Sequence, residues 1–542
     1  MIQNKMDFSM YINKFFKYLL SLIVLSGCAQ NGTISDNDWF AAHTNTPIDS
    51  PTKLDDFLAH NNQTAPDGAP HNMAVILPLS GDNSGIGQTI RSGISLAAIQ
   101  NAPDTLNISF YDSAADINGA LQSALTHNPD IILGPVFSSD AEHIKRHKPS
   151  DIPVLSFTSD AQSVGDGVIS VSLIPSNGVE TIIREMKSDD VRKFIIIAPD
   201  TNSGHLMAGT AQHASEHYEL PLIGIFYYTE QDSESIKQTS VAASMNTART
   251  MAHTRARQII SDILTNERLT AVEKSNLNLQ LEKLSKTDTL GSVPYDAILF
   301  LGNGEDTKSL VSFLRYYNIG ANDARFYGTT MWDGSDIASD FTMRGAKYAS
   351  LPAIDNKFSE IYTQTYQVSP TRLASFGYDA TNMAIGMMYS DKPNSVYLMA
   401  PGGYIGTSGL YRLLPNGVSE RALNIVRLNG SDTPDIIKTG ATDFSVPMYN
   451  LSRERQSSAD AMELQTDGID PDAYIRLPSR LHDKYSSKTI GANTKQATPD
   501  KPRNIITITS DSETPTIQTN DFQSAVSTPI QRTYIEEYEI EE

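Results

Sequence analysis

The sequence predicts a two-lobed α/β protein: parallel sheets with helices on both faces, plus an inserted helical hairpin. Short apolar runs bounded by Gly, Pro, Asp or Ser alternate with helical patterns from Met73 onward, as in sheets buried on both faces. The alternation starts afresh near Pro175, so two similar halves with a crevice between them are expected, and ligands in such sheets sit outside the carboxyl ends of the strands. Residues 231–290 break the rhythm: they lack Pro and Gly, and Val241, Met245, Ile259, Ile263, Leu277, Leu281 and Leu284 recur at roughly helical spacing.

In the first half the expected strands are Met73–Leu79, Ile108–Tyr111, Ile131–Gly134 and Val154–Phe157, with helices over Thr89–Gln100 and Ile117–Thr126. In the second they are Lys193–Ala198, Leu222–Tyr228, Ala297–Leu301 and Arg325–Gly328, with helices over Gly178–Lys187, Gly204–Tyr218 and Lys308–Tyr317. This gives a body over 71–430, with one lobe at about 71–176 and 353–392 and the other at about 177–352 and 393–430. A hairpin over 231–290 interrupts the second lobe, with a break near Asn266–Thr270. Beyond Leu428 the apolar pattern decays, and 431–542 reads as a mostly disordered tail.

The amino-terminal region reads as an export signal. Lys5, Lys14 and Lys17 precede the apolar run Tyr18–Leu25, which is eight residues long and far short of the roughly 20 that cross a bilayer. The run ends in Leu25-Ser26-Gly27-Cys28, and Cys28 is the chain's single cysteine. Small residues before that thiol resemble a bacterial lipobox, which makes 1–27 a lipoprotein signal peptide and Cys28 an acylated first residue. Ala29, where an Asp would favour the inner membrane, points to the periplasmic face of the outer membrane. Residues 28–70, rich in Asn, Thr, Asp and Pro, read as a flexible tether, with Trp39-Phe40 and Leu54–Leu58 as sticky spots.

The net charge of −21 argues against nucleic acid, whose phosphates need a basic footprint. With its one thiol acylated, the body has no internal disulfide and depends on packing. Catalytic look-alikes fail on context. Ser35-Asp36-Asn37, Ser50-Pro51-Thr52-Lys53 and Lys438-Thr439-Gly440 imitate a serine acyl-transferase set in the wrong order, within tether and tail. His213 and His217 flank Glu216 in an H-x-x-E-H pattern without an identifiable third ligand, and His143 and His147 sit among Lys145, Arg146 and Lys148. No metal, cofactor or catalytic residue is therefore assigned. Gly81, Gly85 and Gly87 match no phosphate loop, yet leave free backbone N–H groups at a helix start, suited to a carboxylate or another small polar ligand.

Several segments resemble a known family. Ala74-Val-Ile-Leu-Pro-Leu-Ser80-Gly81, Ile132-Leu-Gly134-Pro135-Val-Phe-Ser138-Ser139 and Pro153-Val-Leu-Ser-Phe-Thr158-Ser resemble the first lobe of type I periplasmic binding proteins of the leucine-binding kind. Tyr327-Gly328-Thr329-Thr330-Met331-Trp332-Asp333, Leu373–Ala380 and Gly403–Arg421 resemble alphaproteobacterial penicillin-binding protein activator lipoproteins. The resemblance covers about 71–430. It implies a non-enzymatic regulator of peptidoglycan synthesis that contacts a penicillin-binding protein; the alternative it leaves is a solute-binding protein of an ABC transporter for a branched-chain amino acid or similar small polar ligand. It also implies a cleft formed by Ser80, Gly81, Ser138, Ser139, Thr158, Asp160, Thr330, Trp332 and Asp333. In solute-binding members the second lobe adds an aromatic and an acid. The matching positions here are near Gly304 and Thr330, leaving Glu305 or Asp333 as substitutes for the acid.

Overall fold

A computed structural model describes residues 50–54, 70–444, 460–462, 464 and 469–485; the signal peptide, Cys28 and most of the tether lie outside these residues. The elements run β1 (Thr52–Lys53), β2 (His71–Leu77), α1 (Ser84–Asn101), β3 (Leu106–Asp112), α2 (Ile117–Leu125), β4 (Ile131–Leu133), α3 (Ser138–His147), β5 (Val154–Ser156) and β6 (Val168–Ser170). The second alternation follows: α4 (Ser176–Ser188), β7 (Phe194–Pro199), α5 (Asn202–His217), β8 (Leu222–Tyr228), α6 (Ser233–Ala243), α7 (Asn246–Asn266), α8 (Ala271–Leu284), β9 (Ala297–Phe300), α9 (Gly304–Tyr316), β10 (Arg325–Gly328) and β11 (Lys347–Ser350). The chain closes with α10 (Asn356–Tyr366), α11 (Arg372–Met388), α12 (Asn394–Leu398), β12 (Tyr404–Gly406), β13 (Gly409–Leu413), β14 (Ser419–Arg421), β15 (Asn424–Arg427), β16 (Asp435–Lys438) and α13 (Ser479–Tyr485).

The first lobe is a five-stranded sheet in the order β3-β2-β4-β5-β6, parallel throughout. Its strands are apolar on both faces: Val75 and Leu77 pack toward α1 and α11, while Ala74 and Ile76 pack toward α2 and α3. The second lobe is a seven-stranded sheet in the order β16-β15-β11-β10-β9-β7-β8, with β15 and β16 antiparallel at one edge. Ile195, Ile197 and Phe300 line one face, and Ile196, Ala198 and Leu299 the other. The chain passes between the lobes at 171–176, 351–355 and 422–423.

Three expectations need correcting. The segment 404–421 belongs with the first lobe, because Tyr404, Tyr411 and Leu413 bury against Met73, Leu133 and Phe376. The chain returns to the second lobe only at β15. The tether is anchored locally: β1 pairs with β12, and Leu54, 2 % exposed, enters the first-lobe core. Residues 231–290 form three helices. α6 packs on β8 and α9 as an ordinary crossover helix, so the inserted pair is α7 and α8, antiparallel through the His253 Nε2 contact with the Leu284 carbonyl at 2.8 Å. The break falls at 267–270, where Thr270 and Glu273 cap each other's backbone N–H groups.

Within 431–542, expected to be mostly disordered, the described residues include β16 and α13. β16 extends the sheet, and the Lys438 ammonium donates to buried Glu185. Lys347 donates to Glu185 at 2.8 Å and to Asp189 at 2.7 Å, and the Tyr327 hydroxyl donates to Asp189 at 2.7 Å. Glu185 is 3 % exposed, so removing a cation strands charge in a low-dielectric site. Lys347→Met should lower unfolding stability by about 3 kcal/mol, the low end for a broken buried pair because Lys347 keeps some solvent contact. Urea denaturation followed by circular dichroism measures this; a loss below about 0.5 kcal/mol would contradict it.

Candidate functional site

The crevice between the lobes holds a cavity of about 260 Å³, lined from the first lobe by Ser138, Ser159 and Asp160 and from the second by Ser176, Asn202 and Ser203. Three helix starts converge there, those of α3, α4 and α5. The first backbone N–H groups of a helix have no partner inside it and carry its positive end. No side chain caps α3 or α4, whereas the Thr201 hydroxyl accepts from the Gly204 N–H in α5 at 3.1 Å. Local backbone geometry brings α3 to the cavity. Gly134 ends β4 at φ +101, with its ideal Cβ position only 2.0 Å from the Ile76 carbonyl oxygen. Only glycine fits there. The one carboxylate on the cavity wall is Asp160, whose Oδ1 accepts from the Gln162 N–H at 2.9 Å. Its charge meets the positive helix ends and opposes an incoming carboxylate.

Of the residues expected in the cleft, Ser138 and Asp160 line this cavity. Ser139 is exposed, its hydroxyl 3.3 Å from Asp140, which sits in the first turn of α3 and whose carboxyl burial holds above the usual range. Thr158 is buried, and its hydroxyl accepts from the Asp160 N–H at 3.2 Å, shaping the 158–163 loop instead of facing the cavity. Ser80 donates to Asp112, and Gly81 turns at φ +70 in open space. Neither lines the separate, wider pocket of about 590 Å³ between the starts of α1 and α11, which has Asp82, Thr89, Thr371 and Arg372 on its walls. That pocket is larger but lies wholly on the first lobe, so the smaller two-lobed cavity is the better candidate for a cleft ligand.

The second-lobe residues are structural. Trp332 is 1 % exposed; its ring covers Gly328 and packs near Phe300 and Tyr348, while its Nε1–H points at the Thr307 hydroxyl, 3.3 Å away. Thr330 is buried under Gly178 of α4, whose ideal Cβ position lies 3.3 Å from the Thr330 nitrogen. Asp333 accepts from the Ser350 hydroxyl at 2.6 Å and from the Leu351 N–H at 3.1 Å, fixing the second crossing between the lobes. Burial raises its carboxyl above the ordinary value of 3.8, although those hydrogen bonds and the Arg372 guanidinium act the other way. Glu305 is exposed at the start of α9, and Gly304 leaves no room for a side chain, since a Cβ there would sit 2.3 Å from the Ser335 hydroxyl. The second lobe therefore presents no acid to the cavity.

Sequence reasoning missed Ser176, Asn202 and Ser203. The signal was present in Ser176-Asn177-Gly178 and Thr201-Asn202-Ser203-Gly204, polar clusters that open helices after apolar runs. His143 and His147 stack at 4.2 Å with His147 Nδ1 against the His143 carbonyl, His213 and His217 lie along α5, and among the described residues no cluster of three metal-ligating side chains occurs.

Comparison with known proteins gives three findings. A family profile described as "LppC putative lipoprotein" matches residues 35–386. The penicillin-binding protein activator LpoA of Mannheimia succiniciproducens is 23 % identical over 173 residues, a match spanning 31 % of this chain and only 30 % of that relative's length. Among solved structures, a branched-chain amino acid ABC transporter protein from Rhodospirillum rubrum superposes with a TM-score of 0.50 at 16 % identity, covering 68 % of this chain and 100 % of the other. The LpoA C-domain from Haemophilus influenzae gives 0.45 at 16 % identity, covering 67 % and 100 %. The fold is that of the two-lobed periplasmic binding proteins.

The state of Asp333 has a pH signature. Its folded value lies above its unfolded one, so the unfolded chain releases this proton first as pH rises. Its contribution to stability is therefore present below the unfolded value and is lost as pH climbs through the folded value. The stability advantage of the native chain over Asp333→Asn should shrink between pH 4 and pH 7, as read by urea denaturation at both values. An advantage that grows with pH would contradict the assignment.

Proposed function

Because the chain belongs to the LppC lipoprotein family, we propose that it is a lipid-anchored regulator that docks on a penicillin-binding protein and promotes peptidoglycan synthesis without catalysing a reaction itself. The observation that carries this is the family match over 35–386, together with the activator LpoA as a relative. The cavity supports it. Asp160 occupies the positive wall on which an amino acid's carboxylate would rest, and Asp333 is committed to Ser350 and Leu351. The second lobe therefore supplies no acid for an ammonium, a pairing that contributes about 1.5–3 kcal/mol, and Asp160 is the one carboxylate on the wall.

Acylation of Cys28 would hold the chain at the periplasmic face of the outer membrane, since each buried methylene contributes about 0.8 kcal/mol and several acyl chains anchor stably. Among the described residues no helix is long and apolar enough to cross a membrane. A second reading, a solute-binding protein for a small polar ligand, is favoured by one feature: the uncapped starts of α3 and α4 facing a shared cavity.

Two measurements test the first reading. The purified full chain should retain a bifunctional penicillin-binding protein from the same cell in a pull-down and raise its transpeptidase rate several-fold. No retention and an unchanged rate would refute the proposal. Cys28→Ser should abolish acylation by intact-mass analysis and release the chain from membrane fractions while leaving the rate effect in solution intact.

A further inference from the structure

The carboxyl-terminal residues 469–485 lie along the inserted helix pair in an order opposite to α8. The Arg476 N–H donates to Gln280 at 2.7 Å and the Gln280 amide donates back to the Arg476 carbonyl at 3.0 Å. Arg480 then bonds Glu273 and the Arg268 carbonyl, each at 2.9 Å. Lys484 reaches Glu267 at 2.5 Å, and the Tyr485 hydroxyl reaches the same carboxylate at 2.9 Å. Beside these polar ties the side chains of Ile475, Leu481 and Tyr485 are buried. At the other end Ile469 and Tyr474 cover Gly291.

The chemistry of this segment runs against the rest of the chain. The protein carries a net charge of −21, yet within 475–485 Arg476, Arg480 and Lys484 recur at every fourth residue with only Asp483 among them, while Asp470 and Asp472 lie before this stretch. The surface beneath is complementary, with Glu267 and Glu273 at its rim. Both carboxyls are held below their usual range, Glu267 chiefly by the Lys484 bond and Glu273 chiefly by the Thr270 backbone. α8 itself is thinly attached: only Leu277 and Leu284 of its fourteen residues are buried. Val272 and Leu279, seven residues apart, are 70 % and 52 % exposed, each one position before a residue that contacts the segment. A longer apolar-anchored ligand would find surface there that residues 469–485 leave uncovered.

We propose that this face of α8, with the 267–270 turn, is a docking site for a basic segment of a partner protein carrying spaced apolar anchors, and that residues 475–485 occupy it in the resting chain. The cationic side of the ties is solvent-exposed and salt-screened, so release costs chiefly the burial of Ile475, Leu481 and Tyr485. The occupant leaves when a partner segment of the same character, present at higher effective concentration, takes its place. The proposal goes beyond the activator reading, and its test contains no synthase, so either can fail alone.

The test uses the full chain and a fluorescein-labelled peptide of residues 469–487 as the probe. Arg480→Glu with Lys484→Glu should raise hydrogen exchange across 469–485 and α8, and the labelled peptide should bind that variant at least tenfold more tightly than it binds the unsubstituted chain. Adding Glu267→Lys and Glu273→Lys should remove this binding, whereas 0.5 M salt should raise exchange of the segment in the unsubstituted chain. Unchanged exchange in the charge-reversed chain, equal peptide binding to both forms, or binding indifferent to Glu267 and Glu273 would each overturn the proposal. Exchange of the segment between two copies, visible as a dimer in the unsubstituted chain at high concentration, would also overturn it, since the face would then serve self-association.

Discussion

Everything in the crevice depends on how the first crossing between the lobes is pinned. The chain leaves the first lobe at Val171–Ile174, and the small sheet of β12, β13 and β14 holds that stretch from one side. Gly417 accepts from the Ser170 N–H at 2.8 Å, the Ser419 hydroxyl donates to the Ser172 carbonyl at 2.7 Å, and the Arg421 guanidinium donates to the Val171 carbonyl. Arg421 is itself fixed between the Phe376 and Tyr411 rings, at 4.5 and 4.7 Å. Across the boundary Asn177 at the start of α4 donates to the Ser419 carbonyl at 2.9 Å. The segment that reaches back from the chain's second half thus sets where α4 begins, and with it one wall of the cavity.

The same arrangement explains why the second-lobe wall carries so little charge. Asp333 secures the second crossing, and Asp306 is drawn into Asn303 and the Gln231 N–H at 3.0 and 3.4 Å. These two acids are thereby engaged within the second lobe, while the cavity keeps hydroxyls, amides and Asp160.

Much of this architecture was legible in the sequence. Both parallel sheets followed from runs such as Ile195–Ala198 and Ile131–Leu133, whose continuity reflects burial on both faces. What escaped was non-local. Nothing around Tyr404–Arg421 marks it as first-lobe material, because its partners Met73 and Phe376 are distant in sequence. Leu54 looked like a tether residue, since a two-residue strand has no periodicity to read. Trp332 beside Asp333 resembled a ligand-facing pair; the close approach of the indole to Gly328, which places it in the core, is visible only in three dimensions. The segment 469–485 has no long apolar stripe to read; it is held by three buried side chains, Ile475, Leu481 and Tyr485, and by carboxylates of the 267–270 turn and of α8.

The central claim, action by docking and not by solute capture, is tested most directly by calorimetric titration of the full chain with leucine, its branched-chain analogues and other small amino acids. The account predicts no dissociation constant tighter than about 1 mM, a bound of roughly −4 kcal/mol. Saturable binding in the micromolar range, with a thermal stabilisation near 2.7 kcal/mol at a hundredfold excess over the dissociation constant, would contradict it.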